Sequence, residues 1–296
     1  MIELKDLTKK FGEQTAVAHV TLTIGTGEFF GLLGPNGAGK TTTISMLSTV
    51  LLPTGGEILL DGKPLTRRAS AEKRKISVIT QEFSMRQDMT VQEVMEYQGR
   101  LYYMKKAEIR ARTEELLKFT ELWEHRRKTV RYLSGGMKRK LMVCRGLMTD
   151  PDVLLLDEPT AGMDAIARRQ MWALLRRINN RKMMIILTTH YMEEAEALCD
   201  RVALINKGKL GEVDSPKALI EALGNYAVDL VTEDETKSVY FKTREEAIAY
   251  PQTLPGGAES QADTADPLPQ AAHASLRNTT LEDVFVERIG RRLTVR

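Results

Sequence analysis

Phe29-Phe-Gly-Leu-Leu33 runs directly into Gly34-Pro-Asn-Gly-Ala-Gly-Lys40-Thr41-Thr42. The first five residues form an unbroken apolar run, the pattern of a strand covered on both faces. Residues 34–41 fit G-x-x-x-x-G-K-[ST], and Lys40 to about Val50 reads as a helix broken by Pro53-Thr-Gly-Gly56. Strand, glycine loop and helix in that order turn backbone N–H groups and a positive helix end toward phosphate oxygens. Lys40 is expected to pair with the β/γ-phosphates of a nucleoside triphosphate, and the Thr41 hydroxyl to ligate Mg²⁺. Gly34, Pro35, Asn36, Gly37, Ala38, Gly39 and Thr42 complete the expected cradle.

A triphosphate also needs its metal held and its attacking water oriented. Val153-Leu-Leu-Leu-Asp157-Glu158 supplies two adjacent carboxylates at the end of a second apolar run. The carboxyl ends of strands are where open α/β sheets bind ligands. Asp157 is suited to coordinate Mg²⁺ through water, and Glu158 to act as general base. A plain strand end followed by a solvated turn is the competing reading of the same six residues.

Along the rest of the chain, residues 1–30 alternate apolar and polar in short runs (Ile2, Leu4, Val20, Leu22, Ile24), which predicts antiparallel strands. Glu57–Leu60 followed by Asp61-Gly62 predicts a hairpin, and Ile76–Thr80 a further strand. From Met89 to Met148 the pattern is helical, with Val91, Val94, Met95 and Leu101 as one stripe and Leu116, Leu117 and Leu122 as another. Met183–Leu187 is again a short apolar run. Strands alternating with helices imply an α/β fold with a parallel sheet. In the tail, 226–231 and 238–241 predict a hairpin around Glu233-Asp-Glu-Thr, and 251–275, with Pro251, Pro255, Pro267 and Pro269, a flexible linker. Thr280-x-x-Asp283 reads as a capping box opening a helix with Leu281, Val284, Phe285 and Ile289 on one face.

Composition narrows the class without naming it. The 296 residues are 42% hydrophobic and 28% charged, ordinary for a globular chain able to bury its own core. Forty-three basic residues against 40 acidic ones leave +3, too balanced for a dedicated nucleic-acid binder. The apolar runs fall far short of the ~20 residues a membrane-spanning helix needs. Met1-Ile-Glu-Leu-Lys-Asp carries no apolar core of a secretory signal. Cys144 and Cys199 fit no ligand spacing and are expected to be reduced, buried thiols.

Leu133-Ser134-Gly135-Gly136-Met137, ahead of a helical stretch and downstream of the phosphate loop, resembles the signature of the ATP-binding cassette (ABC) family. The resemblance covers residues 1–224, with the motifs in the family's order. It implies a P-loop NTPase-type parallel core, an antiparallel β subdomain and an α-helical signature subdomain at about 84–150. Residues 225–296 are then an α+β extension ending in an amphipathic helix at 279–292. The cofactors implied are ATP and Mg²⁺, and the reaction is hydrolysis. By resemblance Phe11 takes the place of an adenine-stacking aromatic, commonly Tyr, and Val17 joins the nucleotide contacts. Gln81 touches Mg²⁺ or water and links the site to the membrane partner, and His190 contacts the γ-phosphate. Asp164 lies on a loop at the dimer interface, with Ala165 where the family commonly has proline. Ser134, Gly135 and Gly136 reach the γ-phosphate held by the other copy of a head-to-tail homodimer. His19, His125 and His273 sit in no motif and are expected to be structural or surface residues.

Within the family, Leu-Ser-Gly-Gly-Met-Lys-Arg139, Thr188-Thr-His-Tyr-Met-Glu-Glu-Ala-Glu and Leu281-Glu-Asp-Val-Phe285 are similar to the drug-resistance and nodulation-type exporters, related to lipid exporters. This implies a separate permease of about six helices, and a place in the cytoplasm against the inner face of the plasma membrane. The exported molecule would be a drug, lipid or other hydrophobic or amphipathic compound. The Gln81–Tyr103 region, with its methionines and tyrosines, is expected to face the permease, ordinary helix packing accounting for about half of it. The basic end at Arg288, Arg291, Arg292 and Arg296 is either a solvated helix end or a contact for anionic lipid. One alternative is a soluble ABC ATPase acting on ribosomes or nucleic acid. The interval from Lys40 to Ser134 leaves no room for the long coiled coil of chromosome-type members, and only one motif set is present. A second alternative, a module that binds ATP without turning it over, is disfavoured by the presence of Glu158 and His190.

Overall fold

The runs without polar side chains form the middle of a sheet, since no face of them can meet water. A computed structural model of the chain describes residues 1–83, 85–231, 236–253 and 273–290. It divides into two units, Met1–Val213 and Asp214–Arg296. The division puts the helix at 216–223 in the second unit, whereas the sequence placed it at the end of the first.

In the first unit, β1 (Ile2–Phe11) and β2 (Gln14–Ile24) pair antiparallel. They are followed by β3 (Phe29–Leu33), α1 (Lys40–Leu47), β4 (Gly55–Leu60), β5 (Lys63–Pro64), α2 (Ser70–Arg74) and β6 (Ile76–Ile79). Then come α3 (Val91–Leu101), α4 (Lys106–Phe119), α5 (Gly135–Gly146), β7 (Val153–Asp157), α6 (Ala165–Asn179), β8 (Met184–Thr189), α7 (Met192–Leu198), β9 (Arg201–Asn206) and β10 (Lys209–Asp214). Among the described residues one sheet runs β2-β1-β4-β5 and a larger one β10-β9-β3-β8-β7-β6. The pairs β9·β3, β3·β8, β8·β7 and β7·β6 are parallel. Every residue of β3, β7 and β8 is buried, which is what helices on both faces of a parallel sheet produce. The registers Leu33↔Thr189 and Asp157↔Thr188 align the carboxyl ends of these three strands along one edge.

The β1–β2 hairpin slips register between Leu4 and Leu7. Asp6 and His19 there both adopt φ near +50° (51° and 52°), and the His19 ring pairs with the Asp6 carboxylate at 2.8 Å. His19 therefore serves a bulge, as expected of a histidine outside the motifs.

The helical stretch is three helices. Thr90 and Glu93 cap α3 reciprocally. Val91, Val94 and Met95 are buried as the stripe predicts, but Leu101 is exposed at 54%. The inward position in that last turn is Gly99: a Cβ there would lie 2.6 Å from Ile109 of α4, so the two helices touch through a missing side chain. In the Gln81–Tyr103 region Met95 is core, Phe83, Met85 and Met89 are half-buried, and Tyr97, Tyr102 and Tyr103 are exposed. Leu116, Leu117 and Leu122 are buried as expected. So are both thiols: burial pushes Cys144 up to about 12 and Cys199 well above the usual thiol range, leaving neither reactive.

The second unit contains α8 (Pro216–Leu223), β11 (Tyr226–Val231), β12 (Thr236–Phe241), α9 (Arg244–Ala249), β13 (His273–Asn278) and α10 (Leu281–Phe285). Its sheet runs β12-β11-β13, antiparallel throughout, over a core of Val228, Leu230 and Ala247. The predicted hairpin is β11–β12, its turn at 232–235 lying outside the described residues. The strand β13 starts inside the segment expected as linker, whose residues 254–272 also lie outside them. Arg277 of β13 joins Asp229 and Asp283, each at 2.7 Å, and the Asp283 carboxylate accepts the Thr280 N–H at 2.8 Å, the expected cap. The helix it opens runs Leu281–Phe285 and passes into a looser turn over Val286–Gly290; Arg288 is exposed, while Arg291, Arg292 and Arg296 lie outside the described residues. Among those residues no helix is long and apolar enough to cross a membrane.

Candidate functional site

The loop between β3 and α1 can be built only on glycine at two points. A Cβ on Gly34 would overlap the Ile205 carbonyl, and one on Gly39, at φ 107°, would come within 2.5 Å of the Ala16 carbonyl. Val17 stands beside Gly39, buried, while the Ala38 carbonyl accepts the Gly208 N–H at 2.9 Å. Asn36, Gly37 and Thr41 are exposed, Pro35 and Thr42 half-buried. The backbone N–H groups at the start of α1 are thus pre-set for an anion.

Lys40 is 5% exposed, and its ammonium donates to the carbonyls of Gly34 (2.7 Å) and Pro35 (3.1 Å). Burial lowers its pKa below the ordinary lysine value, against the raising influence of Glu158 and Asp157. Thr41 Oγ1 donates to Asp157 Oδ1 at 3.3 Å, and Thr188 Oγ1 donates to the same oxygen. The Glu158 N–H donates to the Thr188 carbonyl at 3.0 Å and its hydroxyl at 3.2 Å. That pins Glu158 in a left-handed conformation, φ 47°, a strained choice for a glutamate outside a functional site. Its Oε1 stands 3.7 Å from Lys40 Nζ and 3.2 Å from His190 Nδ1. His190 is partly exposed and packs against Tyr191, ring centres 4.1 Å apart.

Lys40, Thr41, Asp157, Glu158 and His190 are therefore one cluster. Ser134, Gly135, Gly136 and Asp164 are elsewhere: they line an open cleft together with Gln81. Ser134 caps α5, its Oγ accepting the Met137 N–H at 3.2 Å, and Asp164 caps α6, accepting the Ala167 N–H at 2.8 Å. Phe11 ends β1, 48% exposed, with the Lys9 ammonium 5.1 Å from its ring centre. One face of that ring is thus occupied by a cation.

Sequence reasoning missed three polar residues. Thr188 holds the Asp157 carboxylate and the Glu158 backbone N–H; a hydroxyl at the buried end of an apolar strand was its only signal. Arg139, which the sequence offers only as the end of the exporter-like motif, is 7% exposed. Glu194 of α7 is fully buried, accepting from the Thr160 hydroxyl (2.8 Å) and the Trp172 indole (3.0 Å). It braces the start of the loop that leads to Asp164.

Burial raises the Glu194 carboxyl pKa, outweighing the hydrogen bonds from Thr189, Thr160 and Trp172. A carboxyl with a raised folded pKa binds its proton more tightly folded than unfolded. Its contribution is then full below the ordinary carboxylate range and is lost as pH climbs to the folded value. Glu194→Gln, neutral throughout, is expected to lose less thermal stability than the parent as pH rises above the ordinary carboxylate range. The gap should be a few degrees by scanning calorimetry; parallel pH profiles would remove the charge argument.

Two protein oxygens, on Thr41 and Asp157, converge beside the phosphate loop, a donor set that suits Mg²⁺ sharing its other positions with phosphate and water. Among the described residues no cluster of three or more His, Cys, Asp or Glu could hold a metal unaided.

A sequence model described as ABC transporter matches residues 17–161. The Nod factor export ATP-binding protein I of Burkholderia lata is 38% identical over 302 residues, spanning 99% of this chain and 98% of that protein. Among solved structures, a dimeric post-hydrolysis ATP-binding cassette bound to ADP and Pi aligns with TM-score 0.65 and 28% identity, over 73% of this chain and 98% of that one. The cbiO1 component of the Clostridium perfringens cbiONQ transporter aligns with TM-score 0.69 and 27% identity, over 74% and 89%.

Proposed function

The chain belongs to the ABC transporter family, and on that premise we propose that it is the ATP-hydrolysing subunit of an exporter, working as a head-to-tail pair beneath a separate membrane permease. As an ABC ATPase it binds ATP with Mg²⁺ and hydrolyses it. The convergence of Lys40, Thr41, Asp157, Glu158 and His190 at the carboxyl edge of the parallel sheet carries the assignment of roles.

On ATP binding the Lys40 ammonium exchanges the Gly34 and Pro35 carbonyls for β/γ-phosphate oxygens. The Thr41 hydroxyl and Asp157, the latter held by Thr188, would hold Mg²⁺, while Gln81 goes with the cleft it lines beside Ser134 and Asp164. When bound, that ion would supply charge neutralisation to the phosphate oxygens. Water attacks the γ-phosphorus as the bond to the β,γ-bridging oxygen breaks, and ADP leaves with that electron pair. Glu158 takes the water proton, and His190 holds the γ-phosphate beside it. Phe11 offers the ring face away from Lys9 to adenine, while Val17, buried beside Gly39, backs the phosphate loop. Ser134, Gly135, Gly136 and Asp164, being apart from the cluster, serve the nucleotide held by the second copy.

The relative from Burkholderia lata is named for Nod factor export. For this chain we assign an amphipathic or hydrophobic cargo, carried by a permease whose helices lie in another polypeptide, with the ATPase on its cytoplasmic face. Near-neutral charge and a single motif set disfavour ribosomes or nucleic acid as the partner. The full chain, co-expressed with a multi-span membrane protein encoded beside it, is expected to co-purify from detergent-solubilised membranes. Recovery with ribosomes or DNA alone overturns the export assignment.

A further inference from the structure

Arg139 is a buried cation that the hydrolytic cluster does not use. It lies just over one turn into α5, the helix capped by Ser134, and among the described residues no carboxylate forms an ion pair with it. All four of its oxygen acceptors are backbone carbonyls. Nε donates to Pro159 at 2.5 Å and Nη2 to Glu158 at 2.6 Å; Nη1 donates to Thr80 at 2.8 Å and Gln81 at 3.1 Å. Burial outweighs the longer-range pull of Asp157 and Glu194 and lowers the pKa of Arg139, so carbonyl satisfaction alone does not explain why a charged side chain is there. Its rigid planar fork does what no other side chain can: it fixes several acceptors relative to one another.

Those acceptors belong to two stretches. One leaves β6 and carries Gln81; the other leaves β7 and carries Glu158 in its left-handed conformation. From these contacts we propose that Arg139 is a positioning residue for hydrolysis, its fork aiming the Glu158 carboxylate by holding that residue's peptide and tying it to Gln81 and to the helix begun by Ser134. The proposal rests on Glu158 being the base. It assigns to one side chain the link between the helix that meets a second copy's nucleotide and the group that activates water. None of Arg139's hydrogen bonds reaches residues 34–41, so nucleotide binding and hydrolysis should separate when it is altered.

Arg139→Lys keeps the charge and the stem but replaces the fork with a point donor. In the full-length protein it is expected to lower kcat about 10- to 100-fold, the scale on which small misplacements of a reacting group act. The KM for ATP should move by less than about threefold. Arg139→Met should be at least as slow, and if it does not fold the lysine variant carries the test. Because the effect passes through Glu158, adding Arg139→Lys to Glu158→Gln should slow the residual rate no further. Unchanged kcat, a KM that rises in step with the loss of rate, additive losses, or a lysine variant that fails to fold each overturn the proposal. Failure of the underlying reading looks different: Glu158→Gln alone would then hydrolyse ATP at the parent rate.

Discussion

Glu158→Gln is expected to slow ATP hydrolysis by about 100- to 10,000-fold, the range over which a positioned general base acts, without weakening ATP binding. The amide is isosteric and keeps the N–H that donates to the Thr188 carbonyl and hydroxyl, so the left-handed turn at φ 47° survives. What disappears is the proton acceptor 3.2 Å from His190 and one negative charge 3.7 Å from Lys40. Less negative charge around the γ-phosphate favours retention of ATP, so the variant should accumulate as an ATP-bound pair. Phosphate release measures the first effect and size-exclusion chromatography with and without ATP the second. A fully active variant removes Glu158 from the role of base.

Lys40→Met should act earlier, on binding as well as on rate. The side chain is buried, so the methionine stem fits the same channel, but Gly34, Pro35 and the Asp157–Glu158 pair lose their only close ammonium among the described residues. Two carboxylates then face an incoming triphosphate with no cation between. Losing one fixed donor to transition-state charge typically costs about 100- to 1,000-fold in kcat, and here the ground state suffers too. Thermal shift reads this directly. A parent held at ~100 times its dissociation constant gains about 2.7 kcal/mol from ATP, and the variant should gain almost nothing at the same concentration. An undiminished shift would mean that the backbone N–H groups of residues 34–41 suffice alone.

The cluster of Lys40, Thr41, Asp157, Glu158 and His190 was legible because it is written in short contiguous stretches: the glycine loop, the paired carboxylates after an apolar strand, and a histidine after another. The parallel sheet was legible for a related reason, since β3, β7 and β8 have no polar face to misread. Leu101 was misplaced because a helical stripe cannot foresee that α3 and α4 meet through Gly99, where absence of a side chain is the contact. His273–Asn278 has little apolar alternation and follows a proline-rich segment, so only its pairing with β11 makes it a strand. Arg139 and Glu194 were hidden because burial of a charge is a property of the packed chain. Nothing in the flanking lysines and glutamates marks either residue as the buried one.

One copy places the hydrolytic cluster and the cleft of Ser134 and Asp164 apart. A pair assembled on the proposed plan therefore draws each working site from two polypeptides. A defective chain would then poison its sound companion rather than merely fail to contribute. A cell making Glu158→Gln beside the parent should lose more export than gene dosage alone predicts. The phenotype would be dominant, arising from subunit mixing rather than from reduced abundance.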